Sequence, residues 1–366
     1  MRLFAALAMI MALTGCAATA ERVELSESRN TTEPSEVRVF FGTDRGHLVK
    51  QDGSFVGFAN QRSYEKNPVT LGWVDVEVPQ EDIDSLSFVK RFANKLVGPD
   101  DVGLDYYRLG KPNPLSPTQY CSAISEAADG LKLEEKIAIL FVHGYNNNFD
   151  RAARTAAAFH VGLGLNAVPF IYSWSSHHQE LDYVIDAGTI DWSEAYFTEY
   201  LKDLVANKDF TSIILIGHSM GSRLLLRGLA DLLASDKNAA IRVKALVLAG
   251  ADIDAGAFRA RYVPLLEQHN LSERTAVYVD ERDGPLRLSG KVNHYPRLGL
   301  KVVDEIEPFG KVQMLDSTKL RMRFPYHSGA VSRNVVVKDM QHFIGGKTAS
   351  QRSLLKSGSY FRIVDR

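Results

Sequence analysis

Residues 213–226 read Ile-Ile-Leu-Ile-Gly-His-Ser-Met-Gly-Ser-Arg-Leu-Leu-Leu, and this stretch decides the fold. A short apolar run stops at Gly217, and an apolar pattern with helical spacing begins after Gly221. That order predicts a buried parallel strand that turns sharply into a helix. Ser219 is then expected in a strained turn at the carboxyl end of the strand, with the amino end of the helix beneath its hydroxyl. The Gly-x-Ser-x-Gly pattern alone is weak, and this strand-then-helix context is what makes it specific.

Strands and helices alternate on either side of this stretch. Runs typical of buried strands cover residues 137–142, 168–174, 243–249, 275–279 and about 311–315. Helical patterns cover residues 116–131, 149–163, about 192–206 and about 335–344. Two earlier strands are predicted at residues 37–41 and 72–78, the second alternating and antiparallel. The whole pattern predicts an α/β protein with a mostly parallel central sheet and helices on both faces, whose ligands bind at the carboxyl ends of the strands.

The composition is that of a soluble globular protein, because 45% of the 366 residues are hydrophobic and 24% are charged. A net charge of −1 offers no electrostatic footprint for nucleic acid, which we do not expect as a partner. We divide the chain into a signal peptide, a polar tether, one α/β domain and a short tail, at residues 1–15, 16–36, 37–350 and 351–366. Residues 80–131 form an insertion or long loop followed by a helix.

The amino terminus has the features of an export signal. A short positive start precedes an apolar run at residues 3–13 that is too short to span a bilayer. The following Leu13-Thr14-Gly15-Cys16 resembles the lipobox of bacterial lipoproteins. This resemblance implies that Cys16 is the first mature residue and carries a palmitate-type lipid, which attaches the protein to a membrane of the cell envelope.

Two further expectations follow from that resemblance. Ala17, in the place of an aspartate, is similar to the outer-membrane sorting pattern, so we expect the protein on the outer membrane, facing the periplasm. Acylation of Cys16 leaves the only other cysteine, Cys121, without a partner, so no disulfide is predicted. The alternative is a plain secretory signal in which the cysteine occurs by chance.

A serine nucleophile needs a histidine base and an acid that fixes the tautomer of that base. Four candidate acids follow two of the predicted strands, namely Asp252, Asp254, Asp280 and Asp283. We favour Asp283, which lies in a loop beyond a buried strand and fits the order serine, acid, histidine. Asp252 fits equally well as the cap of a helix that begins near Ala255.

The candidate bases come from the last part of the chain. His327 lies in the loop Pro-Tyr-His-Ser-Gly at residues 325–329 and is favoured. His342 is the runner-up, because it lies within the closing helix, where a histidine is more often a surface group. His294 precedes the last strand and fits less well. His143 and His218 adjoin the edge of the sheet, where we expect them to serve packing and hydrogen bonding.

The developing oxyanion needs two backbone N–H donors. One is expected from Met220 at the start of the helix, and the other from Tyr145, where Gly144 allows a close backbone approach. The His-rich stretch at residues 177–182 lacks the spacing of a metal site, and no metal or other cofactor is expected.

With these residues in place, the chain resembles the α/β-hydrolases, and among them a bacterial subfamily of unassigned substrate. The resemblance spans roughly residues 37–350. It is carried by Phe-Phe-Gly-Thr-Asp-Arg at 40–45, Phe-Val-His-Gly-Tyr-Asn at 141–146, Tyr-Ser-Trp at 172–174, Gly-His-Ser-Met-Gly at 217–221 and Leu-Ala-Gly-Ala-Asp at 248–252. It implies Ser219, Asp283 and His327 as the triad. One departure is Ser175, where the family usually has a proline after the tryptophan.

The sequence therefore predicts a serine hydrolase of the cell envelope that cleaves carboxylic esters or related acyl bonds through an acyl-enzyme. Its expected partners are a small-molecule acyl substrate and the membrane, reached through Cys16. Two alternatives stay open. The same triad serves amidases, thioesterases and peptidases, and a catalytically silent binding or scaffold lipoprotein would carry the same fold.

Overall fold

The computed structural model describes residues 35–78, 107–131, 136–177, 183–300, 309–320 and 334–364. Predictions for the signal peptide, for the lipobox with Cys16, and for His327 lie outside these residues.

Fourteen strands are described, and most of them join one sheet. They are β1 Ser35–Thr43, β2 Arg45–Val49, β3 Phe55–Arg62, β4 Thr70–Val78, β5 Arg108–Leu109, β6 Asn113–Leu115, β7 Ile137–Val142, β8 Ala167–Ser173, β9 Ser212–His218, β10 Val243–Ala249, β11 Thr275–Val279, β12 Gln313–Asp316, β13 Leu354–Ser357 and β14 Tyr360–Ile363. The main sheet has the order β13-β14-β12-β11-β10-β9-β7-β8-β1-β4-β5, with β6 also on β4, while β2 and β3 form a separate hairpin. Neighbouring strands are parallel throughout the central part of this sheet, which runs in the order β1-β8-β7-β9-β10-β11-β12-β14.

The helices cover both faces of this sheet, as predicted. They are α1 Pro117–Asp129, α2 Phe149–Leu163, α3 Tyr183–Ala206, α4 Gly221–Ser235, α5 Ala239–Arg242, α6 Ala255–Ala257, α7 Val263–Gln268, α8 Gly284–Asn293 and α9 Asn334–Ile344. Side chains of β7 alternate between two cores, with Leu140 in one and Ile139 in the other. The first core is covered by α1, α3 and α4, and the second by α2 and α9. A sheet buried on both faces explains why its strands are continuous apolar runs in the sequence.

The strand register brings the carboxyl ends of the central strands to one level. Val142 of β7 is opposite Gly217 of β9, and Ala249 of β10 is opposite both His218 and Tyr278. Neighbouring strands are about 5 Å apart. The loops after β7, β9, β10 and β11 therefore meet at one edge of the sheet, which is where the sequence places the functional groups.

The most strongly patterned elements were predicted to the residue. The strands β7, β10 and β11 and the helix α2 have the predicted bounds, and Asn148 caps α2 by accepting a hydrogen bond from the Arg151 N–H at 2.8 Å. Ser116 and Gln119 form a capping box at the start of α1, behind Pro117. Local start signals were therefore sufficient for these elements.

The helix α3 is longer than predicted, because it begins at Tyr183 and not near residue 192. In its first turns, buried polar groups occupy positions that face the protein. Asp186 is fully buried and accepts hydrogen bonds from the Ser176 hydroxyl at 2.6 Å and from the His177 N–H at 2.9 Å. Polar residues at core positions remove the apolar periodicity by which a helix is predicted. Residues 183–192 are thus the first part of α3.

The carboxyl terminus also differs from the prediction of a tail at residues 351–366. The strand β14 pairs with β12 in parallel and β13 pairs with β14 antiparallel, so the main sheet continues to Ile363. Both strands have four residues and are half-exposed, which leaves a weak apolar pattern. The β2–β3 hairpin was missed for the same reason.

Cys121 lies on α1. The expectation that it forms no disulfide depends on Cys16, which lies outside the described residues, and stays a prediction. Along the described residues, no helix combines the length and the apolar character needed to cross a bilayer.

Candidate active site

Ser219 lies at the turn between β9 and α4, as predicted. Its backbone has φ +50°, and the residue is only 2% exposed. Its N–H donates to the Ala249 carbonyl at 3.0 Å, and its own carbonyl accepts from the N–H groups of Ser222 and Asp252, both at 3.1 Å. A positive φ costs a serine about 1–3 kcal/mol. These backbone bonds hold the turn in the strained conformation, which is how a nucleophile is presented at a strand-to-helix turn.

Two glycines allow the backbone to close tightly around this serine. A Cβ placed on Gly221 would lie 2.2 Å from the His143 carbonyl oxygen, and one placed on Gly144 would lie 2.8 Å from Cβ of Ser219. Neither contact is possible for a larger residue without a backbone shift. The loop after β7 therefore packs directly against Ser219.

That loop is held by hydrogen bonds to its carbonyl groups. The His143 carbonyl accepts from Trp174 Nε1 at 2.8 Å, the Tyr145 carbonyl from Asn147 Nδ2 at 3.0 Å, and the Asn147 carbonyl from Arg45 Nη2 at 2.8 Å. Across the turn, the Met220 N–H makes no hydrogen bond to any described residue and lies at the amino end of α4, where the helix dipole favours negative charge. A fixed loop on one side and a helix terminus on the other form a geometry suited to an oxyanion.

Arg45 is the group that fastens this loop to the rest of the sheet. Its side chain is fully buried, and it donates to the Ser173 hydroxyl at 2.9 Å and to the Ser176 carbonyl at 3.1 Å, besides the Asn147 carbonyl. Burial lowers the pKa of Arg45 to about 10, so it stays charged at neutral pH. It thus joins the ends of β1, β7 and β8. In the sequence, Arg45 stood out only as part of a motif, because nothing local predicts that a guanidinium is buried.

His143 serves packing and hydrogen bonding, as expected. Its ring is 1% exposed, stacks on Trp174 at 5.2 Å between centroids, and donates from Nδ1 to the Gly144 carbonyl at 2.7 Å. Burial and the nearby Arg45 guanidinium hold the pKa of His143 well below its usual range. A neutral imidazole bonded to the backbone is not placed to take a proton from Ser219.

The four candidate acids are distinguished by what binds their carboxylates. Asp280 is bonded by Arg282 at both oxygens, at 3.0 and 2.8 Å, and Asp254 caps α6 through the Ala257 N–H. Asp252 is bonded by two arginines, described below. Asp283 is 2% exposed and accepts from the Leu286 N–H at 2.9 Å, as the N-cap of α8. Asp283 thus caps α8 from a buried position in the loop after β11.

The two candidate histidines have different outcomes. His327 lies outside the described residues, so its position relative to Ser219 stays a prediction. His342 lies on α9, and its neighbour Gln341 packs near Gly164, the C-cap of α2, where a Cβ would be 3.5 Å from Gln341 Nε2. The 15-residue helix α2 starts at the carboxyl edge of the sheet and runs about 22 Å away from it. His342 therefore lies toward the edge opposite Ser219.

A buried ionic cluster, which the sequence did not predict, adjoins Ser219. Asp252 is bonded by Arg223 Nη2 at 2.8 Å and by Arg297 Nε at 2.9 Å. It also accepts from the hydroxyls of Tyr183 at 2.7 Å and Ser289 at 2.6 Å. We call these five residues the Asp252 cluster. Among these five residues, only Arg223 could have been placed near Ser219 from the sequence, because residues four positions apart lie on the same face of a helix.

No group of three or more His, Cys, Asp or Glu side chains in the described ranges has a metal-binding arrangement.

Comparisons with known proteins agree with this architecture. A family model described as alpha/beta hydrolase of unknown function (DUF900) matches residues 122–340, which is more than half of the 366 residues. No curated protein matches.

Two solved structures that match are "Extracellular alpha/beta-hydrolase from Paenibacillus species shares structural and functional homology to Tobacco Salicylic Acid Binding Protein 2" and "AbyA5 Wildtype". The first is 17% identical with a TM-score of 0.23, covering 54% of this chain and 84% of its own. The second is 13% identical with a TM-score of 0.28, covering 64% and 75%. At these TM-scores neither supports an argument about substrate.

The family match covers β7 to α9, and so includes the Ser219 turn, the loop after β7 and Asp283. The chain belongs to the family of alpha/beta hydrolases of unknown function, DUF900.

Proposed function

We propose that this protein is a serine hydrolase that cleaves carboxylic esters or related acyl bonds. The observation that carries the proposal is the strained turn of Ser219, with φ +50°, against the Gly144 backbone. Such a conformation costs free energy and recurs where a nucleophile is presented at the end of a strand. An ordinary tight turn needs neither a positive φ at a serine nor a glycine pressed against its side chain.

In the proposed reaction, Ser219 Oγ attacks the acyl carbon while His327 takes the hydroxyl proton. Asp283 orients the imidazole and stabilises its charged form. The carbonyl oxygen becomes an oxyanion that accepts hydrogen bonds from the N–H groups of Met220 and Tyr145. Collapse of the intermediate expels the alcohol, which takes the proton from His327. Water then attacks the acyl-enzyme by the same steps, and releases the carboxylic acid and the free serine.

Three features support the assignment of roles. Asp283 is buried in the loop after β11, at the same edge of the sheet as Ser219, which supports it as the acid. The Met220 N–H has no acceptor in the described part of the chain. The loop that carries Tyr145 is fixed by buried donors, so that its N–H need not reorganise during the reaction.

The test is the rate at which a fluorophosphonate probe labels the protein. We expect stoichiometric labelling that fragment spectra map to Ser219, because only an activated serine reacts. His327→Ala should slow labelling by about 10³-fold or more, through loss of the base. His342→Ala is the matched control and should label at the parental rate. Labelling that fails in the folded parental protein would support a silent binding module, and labelling that depends on His342 would reverse the choice of base.

We further propose that Cys16 is acylated and attaches the protein to the outer membrane, facing the periplasm. The lipobox resemblance at residues 13–16 supports this proposal. Cys121 is the only other cysteine in the sequence. Because a thioether and a disulfide use the same sulfur, acylation requires that Cys16 is not joined to Cys121.

Cell fractionation and the intact mass of the mature chain test the anchor. We expect the mature chain to begin at Cys16 with an added lipid mass, and Cys16→Ala to move the protein to the soluble fraction. Cys121→Ala is the control and should stay with the membrane. A Cys16→Ala protein that stays in the membrane at the parental level, or a mass that shows a disulfide and no lipid, would contradict the anchor.

A further inference from the structure

The Asp252 cluster has more positive than negative charge. Arg223 and Arg297 both bond the carboxylate of Asp252, and no second carboxylate contacts either guanidinium among the described residues. The side chain of Asp252 is 2% exposed, that of Arg297 is 5% exposed and that of Arg223 is 17% exposed. One carboxylate neutralises one arginine, so the cluster retains one net positive charge. A buried charge without a counter-ion is strongly unfavourable.

The second guanidinium is not needed to satisfy Asp252. The Tyr183 and Ser289 hydroxyls and one arginine already give each carboxylate oxygen a hydrogen-bond donor. Replacement of the other arginine by an apolar side chain would remove a buried charge. A structural role for the cluster therefore explains one arginine and not the pair.

Both arginines have donors to spare. Arg223 uses Nε on the Asp252 carbonyl and Nη2 on the Asp252 carboxylate and the Tyr183 hydroxyl. Arg297 uses Nε on Asp252 and Ser289. In the described structure, Nη1 of Arg223 and both Nη nitrogens of Arg297 make no hydrogen bond, and none of them is sealed from solvent. Free guanidinium N–H groups are the donors that bind carboxylate and phosphate oxygens.

The cluster is also next to the nucleophile. The Asp252 N–H donates to the Ser219 carbonyl at 3.1 Å, and Arg223 is four residues after Ser219 in the first turn of α4. The Tyr183 ring, which bonds Arg223, contacts the ring of Tyr145 at 5.8 Å between centroids. Arg223 thus lies in the helical turn that begins after Met220, and it bonds the tyrosine that packs on Tyr145.

We infer that Arg223 and Arg297 form an anion subsite beside Ser219, and that the acyl substrate carries an anionic oxygen group, carboxylate or phosphate, near its scissile carbonyl. This inference rests on the proposed hydrolase function and narrows its substrate class. The rigid hold of Asp252 and Tyr183 on Arg223 orients the guanidinium before the substrate binds, which lowers the entropy cost of binding. The remaining positive charge raises the local concentration of an anionic substrate.

A matched pair of esters tests the subsite. Mono-4-nitrophenyl adipate and 4-nitrophenyl hexanoate have the same acyl length and leaving group, and differ by a terminal carboxylate. We expect the parental protein to favour the adipate by about tenfold or more in kcat/KM, since a charge-assisted hydrogen bond is commonly of that strength. Arg223→Gln should lower this ratio by about tenfold. It leaves Asp252 paired with Arg297, so the variant is expected to fold.

Arg227→Gln is the control variant. Arg227 lies one turn further along α4, but its guanidinium is bonded by two carboxylates, Asp191 and Glu194. It therefore contributes no uncompensated positive charge, and the ratio should stay within about twofold of the parental value. A parental preference for the hexanoate, or an equal loss of the ratio in both variants, would overturn the subsite.

Binding to the Ser219→Ala protein separates this inference from the hydrolase proposal. By calorimetry, monomethyl adipate should bind and dimethyl adipate should not, and inorganic phosphate as a competitor shows whether phosphate shares the site. Binding of the monoester without any ester hydrolysis by the parental protein would keep the subsite and refute the esterase. Equal binding of both adipates by the Ser219→Ala protein, when the parental protein hydrolyses esters, would keep the esterase and refute the subsite.

Discussion

Replacing Ser219 with alanine should lower kcat/KM for 4-nitrophenyl esters by about 10⁴-fold or more. The reason is that the remaining backbone donors stabilise an oxyanion but cannot form the acyl-enzyme. Ala and Ser have the same difficulty at φ +50°, so the free energy of unfolding should change by only about 0.5 kcal/mol. Initial rates and urea unfolding, measured on the same preparation, check both parts.

Ser222→Ala is the control for that variant. Ser222 is three residues further along the chain and equally buried, and its hydroxyl has no hydrogen-bond partner in the described structure. Loss of that hydroxyl should leave the rate near the parental value. Comparable rates for Ser219→Ala and the parental protein would remove Ser219 from the chemistry, and a loss shared by Ser222→Ala would indicate a packing effect.

Replacing Arg45 with methionine should destabilise the fold by about 3–5 kcal/mol. The change leaves the carbonyls of Asn147 and Ser176 and the hydroxyl of Ser173 without their buried donor, and each such group costs about 1–3 kcal/mol. Urea unfolding followed by circular dichroism measures the effect. Arg45→Lys retains the charge but not the several N–H donors of the guanidinium. Its free energy of unfolding should lie between those of the parental protein and Arg45→Met.

Arg38→Met provides the comparison, on the preceding strand β1. Arg38 pairs with Asp75 through two hydrogen bonds at 2.9 and 3.1 Å, but its side chain is 45% exposed. An exposed ion pair contributes about 1 kcal/mol or less. Equal unfolding midpoints for Arg38→Met and Arg45→Met would show that the buried bonds of Arg45 contribute little. Since Arg45 holds the loop of Tyr145, we also expect Arg45→Lys to have a lower kcat.

The parts of this site that the sequence predicted are those encoded locally. The strand before Ser219 and the helix after it are written in consecutive residues, so the turn was predicted with its surrounding elements. The same holds for Gly144, whose place after a buried strand indicated a close backbone approach. Strands that alternate with helices gave the parallel sheet, and with it the edge where these loops meet.

What the sequence did not predict depends on contacts between distant residues. Asp252 was weighed as an acid or a cap, and neither reading anticipated its two arginines, one of them 45 positions further along the chain. Arg45 bonds groups about 100 and 130 positions away. Such pairings are determined by how the sheet packs, and they produce no periodic pattern in the sequence. The first half of α3 was not predicted for a related reason. Asp186 lies at a buried position because groups outside the helix donate hydrogen bonds to it, and a polar residue there interrupts the apolar pattern of the helix.

The left-handed backbone of Ser219 also bears on how the protein can change over time. Glycine adopts φ +50° without penalty, so a glycine at this position would make a sturdier chain with no hydroxyl. Random substitution followed by selection for durability alone would drift toward that inert form. The proposed hydrolysis gives a reason for a serine in this conformation, whereas folding stability gives none.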